Sequence, residues 1–314
     1  MKARSERFGV MLAILSSFLG GSALAVTRYL VGHADPLTLA LLRWGIGFLC
    51  LLPVALVARV RWPASADWLA AGLLGICFFA VFFILYNLAL RYTTAVRASL
   101  ALATLPLQTM LAGRLFRIEA LTWRKTVGVS IAVLGVSGAL ASSLSAAPPQ
   151  AWRGELIITV ATLCMACYNI WSRRFIERSS ALGFLTFGMG CGAAALVIVG
   201  ALTNRIAVLS GFATRQWIGG VYLGVAGGAL AFILWVSALQ RATPTRVASS
   251  VAVNPIAAAA VASWLVGEPI PLKLAIGLAA VFMGIWIATT DRQISTTSGI
   301  SASSSAGSNR LADA

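Results

Sequence analysis

The chain has 314 residues, 59% of them hydrophobic and 11% charged, with a formal net charge of +15. Soluble domains carry roughly 45–50% apolar and about 25% charged residues, so a water-soluble globule is excluded. The positive charge does not point to nucleic acid, because Lys and Arg are scattered singly or in twos and threes between apolar runs.

A membrane-spanning helix needs about 20 mainly apolar residues. In chain order the sequence predicts helices at 8–27, 37–58, 68–90, 95–116 and 123–141. A polar connector follows at 142–153, with Pro148 and Pro149, and then helices at 155–175, 182–202, 216–239, 247–266 and 272–289. The fold class expected is an all-α integral membrane protein of ten transmembrane helices. The Ser-rich segment after Asp291 lacks apolar periodicity and is expected to be a disordered cytoplasmic tail, 291–314. The first run, flanked by Arg7 and Arg28, lacks a convincing cleavage site and is expected to remain as a helix. All nine acidic residues fall near the ends of the runs or outside them, as a lipid solvent requires. With the N terminus inside, cytoplasmic segments carry 16 Lys and Arg against 7 outside, and Arg43 lies within the second helix. That bias predicts a multi-pass protein of the cytoplasmic membrane with both termini cytoplasmic.

The two halves also match each other. A shift of 149 residues lays Trp68 on Trp217, Gly75 on Gly224, Phe83 on Phe232 and Arg97 on Arg246 without a gap. The same shift lays Pro106 on Pro255, Glu119 on Glu268, Gly128 on Gly277 and Gly135 on Gly284. Rare residue types holding one register over so long a stretch mark an internal repeat. We therefore divide the chain into a first five-helix unit at 1–147, a connector at 148–154 and a second unit at 155–290. Five is odd, so the second copy should enter the membrane from the opposite side. In secondary transporters such inverted repeats place the substrate site at their interface near the bilayer midplane. Inverted repeats also occur in channels, so a channel or a lipid-related permease is the alternative.

The proline, the Leu115-Phe116-Arg117-Ile118-Glu119 run and the glycines Gly128 and Gly135 resemble the drug/metabolite transporter superfamily, in particular its EamA-type members. Pro255, Leu265-Val266-Gly267-Glu268, Gly277 and Gly284 repeat the pattern. The ends of the third and eighth helices, Leu88-Ala89-Leu90-Arg91-Tyr92-Thr93 and Ser237-Ala238-Leu239-Gln240-Arg241-Ala242-Thr243, fit it as well. The likeness covers about residues 8–290, and departs where Arg117 stands at the place of Gly267. The resemblance implies a ten-helix exporter of amino acids or other small metabolites.

Several side chains are candidates for the transport pathway. Pro106 and Pro255 should free the carbonyls of Leu102 and Val251, which need a partner or a water-lined cavity in lipid. A kink serving packing alone is the alternative. Gln108 and Asn254 flank these prolines, while Ser16 and Ser17, Tyr86 and Asn87, and Tyr168, Asn169 and Trp171 add polar groups on helices one, three and six. Each can instead join helices or sit in the interfacial belt. Arg43, seven residues into helix two, either binds a substrate carboxylate or snorkels to the external face. Arg97 with Arg246, and Glu119 with Glu268, lie at opposite membrane faces as symmetric charges. They serve either as helix-end charges or as gates.

No phosphate-binding G-x-x-x-x-G-K-[ST] motif and no mid-helix carboxylate occurs, so neither an ATP engine nor a proton relay is legible; Glu155 is the nearest acid. Cys164 and Cys167 form a C-x-x-C, but there is no second pair and His33 is the sole histidine. We expect no enzyme activity, metal or cofactor. The expected partners are a small-molecule substrate and the lipid bilayer, with no nucleic acid and no ATPase subunit.

Overall fold

A computed structural model describes residues 2–118 and 148–267, together with isolated positions between 123 and 138 and at 279 and 283. The described residues are helical, with no strand among them. The predicted helices at 123–141 and 272–289 are described only at those isolated positions. Glu119, Glu268, the tail and residues 142–147 of the connector lie outside the described residues.

Among the described residues, eight helices are long and apolar enough to cross a membrane. They are α1 (Lys2–Leu30), α2 (Pro36–Val57), α3 (Ser65–Ala89) and α4 (Ala95–Leu115). After the connector come α5 (Ala151–Arg178), α6 (Ala181–Leu202), α7 (Thr214–Leu239) and α8 (Pro244–Leu265). They match predicted helices one to four and six to nine, although α1 extends beyond 8–27 at both ends. The start of α5 at Ala151 likewise takes in part of the predicted connector. Local chemistry explains several ends. Asp35 caps α2 by accepting from the Leu37 and Thr38 amides, while Thr94 and Ser180 cap α4 and α6.

Each copy packs mainly on the other. Helix α1 lies against α7 and α8, and its register mate α5 lies against α3 and α4. Helix α2 packs on α7 as α6 packs on α3, while α2 meets α6 and α4 meets α8. The copies run in opposite directions. The start of α2 lies at the end of α6, where Thr38 Oγ1 donates to the Arg205 carbonyl at 3.0 Å. The end of α2 lies at the start of α6, where the Ser180 amide donates to the Arg61 carbonyl at 3.1 Å. Likewise α1 begins beside the end of α7, with the Arg241 guanidinium over the Phe8 ring at 5.7 Å. Its other end is beside the end of α3, where Arg28 Nη1 donates to the Leu90 carbonyl at 2.7 Å.

Close approach of these helices depends on glycine at the register mates Gly75 and Gly224. A Cβ on Gly75 would collide with the Gly188 backbone, and one on Gly224 would collide with Ile46. The exposed surface is apolar, including Leu49, Leu69, Leu73, Ile198 and Leu202. Such a surface would promote association in water and is at home in hydrocarbon.

Candidate functional site

Four interruptions, paired by the repeat register, shape the centre of the molecule. In α3 the segment Ile76–Phe82 is π-helical, and in α7 the equivalent segment Val225–Leu230 is π-helical too. A π segment widens the turn, disturbs the regular hydrogen-bond ladder and is frequent at functional sites. Helix α4 breaks between Leu102 and Leu105, and α8 tightens to a 3₁₀ turn over Ser250–Val253. Pro106 and Pro255 therefore do not kink continuous helices as predicted. Each sits in the first turn of a new helical segment, Leu105–Leu115 or Asn254–Val266, where its missing N–H leaves no bond unmade.

Between these interruptions lies a cavity of about 50 Å³. Helix α1 contributes Ser16, Ser17 and Gly20, α2 contributes Arg43, and α3 contributes Phe78, Phe82, Phe83 and Tyr86. Leu102, Met165, Ala231, Phe232, Trp235, Val251 and Asn254 complete it. Leu102 and Val251 are the residues four before the two prolines, so the disturbed backbone does border the cavity. Its volume admits a few waters. A metabolite enters only if the lining side chains part.

Arg43 is the main charge of this centre. It is 4% exposed, and Nη2 donates to the Gly227 carbonyl at 2.6 Å, inside the π segment of α7. Its Cζ lies 4.7 Å from the Phe83 ring centroid and 5.2 Å from that of Trp44. Nε and Nη1 are buried without a hydrogen-bond partner. It therefore does not snorkel. Insertion of Arg at a helix centre costs about 2.5–3.5 kcal/mol, and the two cation–π contacts and one charge-assisted bond offset part of that.

The other predicted residues divide. Ser17, Tyr86 and Asn254 line the cavity with Arg43, and the Asn254 Oδ1 is buried without a partner. Ser17 shares a 2.8 Å bond with Ser250, and Ser16 donates to the Ala231 carbonyl at 2.7 Å. Asn87 points elsewhere, donating to the Pro36 carbonyl and tying α3 to the start of α2. Gln108 donates to the Thr159 carbonyl at 2.8 Å and Thr162 Oγ1 at 3.0 Å, fastening α4 to α5. Tyr168 stacks on Phe78 at 4.5 Å, behind the lining. Asn169 supports the lining from outside by accepting from Trp235 Nε1 at 3.0 Å. Trp171 packs on Phe116 at 4.8 Å and is not at the cavity. Pro106 and Pro255 act through the backbone and are not in the lining. Phe78, Phe82, Phe232 and Trp235 do line it and were not singled out from the sequence.

Arg97 and Arg246 have partners that were not anticipated. Arg97 Nε meets Glu155 Oε1 at 2.5 Å, joining the starts of α4 and α5. Arg246 pairs with Glu6, joining the starts of α8 and α1. The 149-residue shift that carries Arg97 onto Arg246 also carries Glu6 onto Glu155, so the repeat register contained this signal. Each pair bridges the two copies, and the pairs lie at opposite ends of the bundle with the cavity between them.

Comparison with known proteins places this geometry. The model of the EamA-like transporter family matches residues 7–141 and again 152–290. The chain is 25% identical over 292 residues to the uncharacterized transporter YyaM of Bacillus subtilis, covering 89% of this chain and 92% of that protein. It is 26% identical over 230 residues to a probable terminal-alkyne amino-acid exporter of Streptantibioticus cattleyicolor, covering 71% and 75%. It is 25% identical over 298 residues to the uncharacterized inner membrane transporter YedA of Escherichia coli K12, covering 91% and 92%. A solved crystal structure shares the fold with a TM-score of 0.68 at 20% identity, covering 90% of this chain and 96% of that one. With two matches of the family model along one polytopic chain, the protein belongs to the EamA-like transporter family and is a multi-pass membrane transporter rather than an enzyme.

Proposed function

We propose that the protein is a secondary transporter of the cytoplasmic membrane that exports small metabolites, amino acids and related compounds first among them, by alternating access. The carrying observation is a partly polar cavity lying between two oppositely directed copies of one helical unit, with an ion pair between the copies at each end. In this reading ten helices form two inverted five-helix repeats, at 1–147 and 155–290. The end bearing Glu6, Arg61, Arg178 and Arg246 is cytoplasmic, since it holds the larger share of Arg. The two pairs act as latches. Opening Arg97–Glu155 exposes the cavity to the outside, and opening Arg246–Glu6 exposes it to the cytoplasm. In the conformation described both pairs are formed.

A probable amino-acid exporter among the relatives supports the substrate class, and the relative named as an inner membrane transporter supports the location. Counterflow in proteoliposomes tests the mechanism. Unlabelled amino acid on the far side should accelerate uptake of the labelled compound. Transport of a compound without such acceleration would indicate a channel or permease pore instead.

A further inference from the structure

The cavity makes a chemical demand that the family alone does not specify. Arg43 is buried, holds one backbone carbonyl with Nη2, and presents Nε and Nη1 without partners. A guanidinium stays protonated in proteins, and its N–H groups match the two oxygens of a carboxylate. No Asp or Glu and no second Lys or Arg lines the cavity among the described residues. The remaining lining is dominated by the rings of Phe78, Phe82, Phe83, Phe232 and Trp235. Asn254, also in the lining, opens the helical segment Asn254–Val266, whose dipole favours negative charge at that end.

We infer that Arg43 is the anion-binding residue of the cavity, and that the ligand is an organic monocarboxylate with an apolar body, recognised by its carboxylate and not by an ammonium group. One cation matches one negative charge, and an ammonium would find only neutral acceptors such as the Asn254 Oδ1. Amino acids fall within this class, and acids without an amino group fit it equally. This rests on the transporter reading for its cargo, but binding at Arg43 is separable from transport. The alternative role of Arg43 is structural, a clamp from α2 to the π segment of α7 through Gly227.

The test uses the full-length protein in detergent and in proteoliposomes, with pairs of probes that share a skeleton. These are hexanoate and hexanamide, 4-methylvalerate and its amide, and 3-phenylpropionate and 3-phenylpropanamide, with phenylalanine and phenethylamine added. At least one carboxylate should raise the melting temperature and bind at least about tenfold more tightly than its amide. Phenethylamine should not bind. In Arg43→Gln that preference should collapse to about twofold or less, while Arg43→Lys retains part of it. A purely structural Arg43 would lower the melting temperature of the unliganded protein without altering the ratio of acid to amide. If Arg43→Gln does not fold, the wild-type ratio decides the ligand class and Arg43→Lys decides the role of Arg43, a preference unchanged from wild type overturning it. Amides binding as well as acids, no acid in the panel binding, or an unchanged preference in a folded Arg43→Gln would each overturn the inference. Counterflow of the probes that bind separates the two readings. Exchange of amides or amines alone sinks the inference and leaves the carrier standing. Binding of acids without exchange does the reverse.

Discussion

The contact of α2 with α7 and the contact of α6 with α3 occupy equivalent places in the two copies, yet they distribute bulk in opposite ways. On one side Arg43 and Trp44 of α2 press against Gly227 and Gly228 of α7. On the other, the register mates of Arg43 and Trp44 are Gly192 and Ala193, and those of Gly227 and Gly228 are Phe78 and Phe79. Gly192 lies against Phe79, where an added Cβ would come within 2.5 Å of the Phe79 Cβ. The large side chain is on α2 in one half and on α3 in the other, while both π segments are kept. Backbone symmetry is thus kept in both π segments, while side-chain asymmetry gives the cavity one cationic wall and one aromatic wall.

The largest break in this comparison should come from giving α7 the bulk of α3. Gly227→Phe would drive a ring into Ala23 and the Arg43 guanidinium. Overpacking of this kind costs about 1–3 kcal/mol or more, and counterflow should fall to background with a lowered melting temperature. Next, Gly75→Ala should destabilise more than Gly224→Ala, by about 3 against about 1 kcal/mol in thermal unfolding. The first meets the backbone of Gly188, whereas the second meets the side chain of Ile46. Equal costs would show that both helix contacts relax alike.

The ion pairs allow a third test. Glu155→Gln should act more strongly than Glu6→Gln, because the Arg97–Glu155 side chains are 7% and 16% exposed against 20% and 34% for Arg246–Glu6. About 1.5–3 kcal/mol is expected for the first and about 1 kcal/mol or less for the second. A cysteine at Ser17, in a background without the five native cysteines, should react faster with an impermeant thiol reagent from outside in Glu155→Gln. In Glu6→Gln it should react faster from the cytoplasmic side. Reaction from the same side in both variants would refute opposed latches. The smallest effect is expected at the register mates Tyr86 and Trp235, which both line the cavity. Trp235→Phe loses the bond to Asn169 and should cost about 1 kcal/mol of stability, and Tyr86→Phe should cost less.

Much of this architecture is legible in the sequence, because lipid makes helix length and apolarity nearly obligatory. The eight described spans fall where the apolar runs do, and the repeat register finds the paired breaks near Pro106 and Pro255. Arg43 stands out because a cation inside an apolar run requires an explanation. The aim of individual polar side chains is harder to read. Gln108, Asn87 and Trp171 have the chemistry of cavity residues, but a helix offers several faces and only neighbouring helices decide which one is inward. The π segments are equally hidden, since Ile76–Phe82 and Val225–Leu230 share a ladder defect without sharing composition. The pairing of Glu6 with Arg246 and of Glu155 with Arg97 depends on helix order in space, and the repeat register shows only that the two pairs are equivalent.

The buried guanidinium has one more consequence, which concerns voltage. Arg43 fixes a positive charge in the cavity, and a charge that crosses the whole membrane field feels about 2.3 kcal/mol per 100 mV. In the proposed alternating cycle the field would be redistributed around that charge even if the side chain hardly moved. In the proposed cycle an empty carrier would change sides under the influence of the membrane potential, whereas one holding a single anion would present a neutralised centre. Current carried by the unloaded return step, and suppressed by ligand, would be the electrical trace of Arg43.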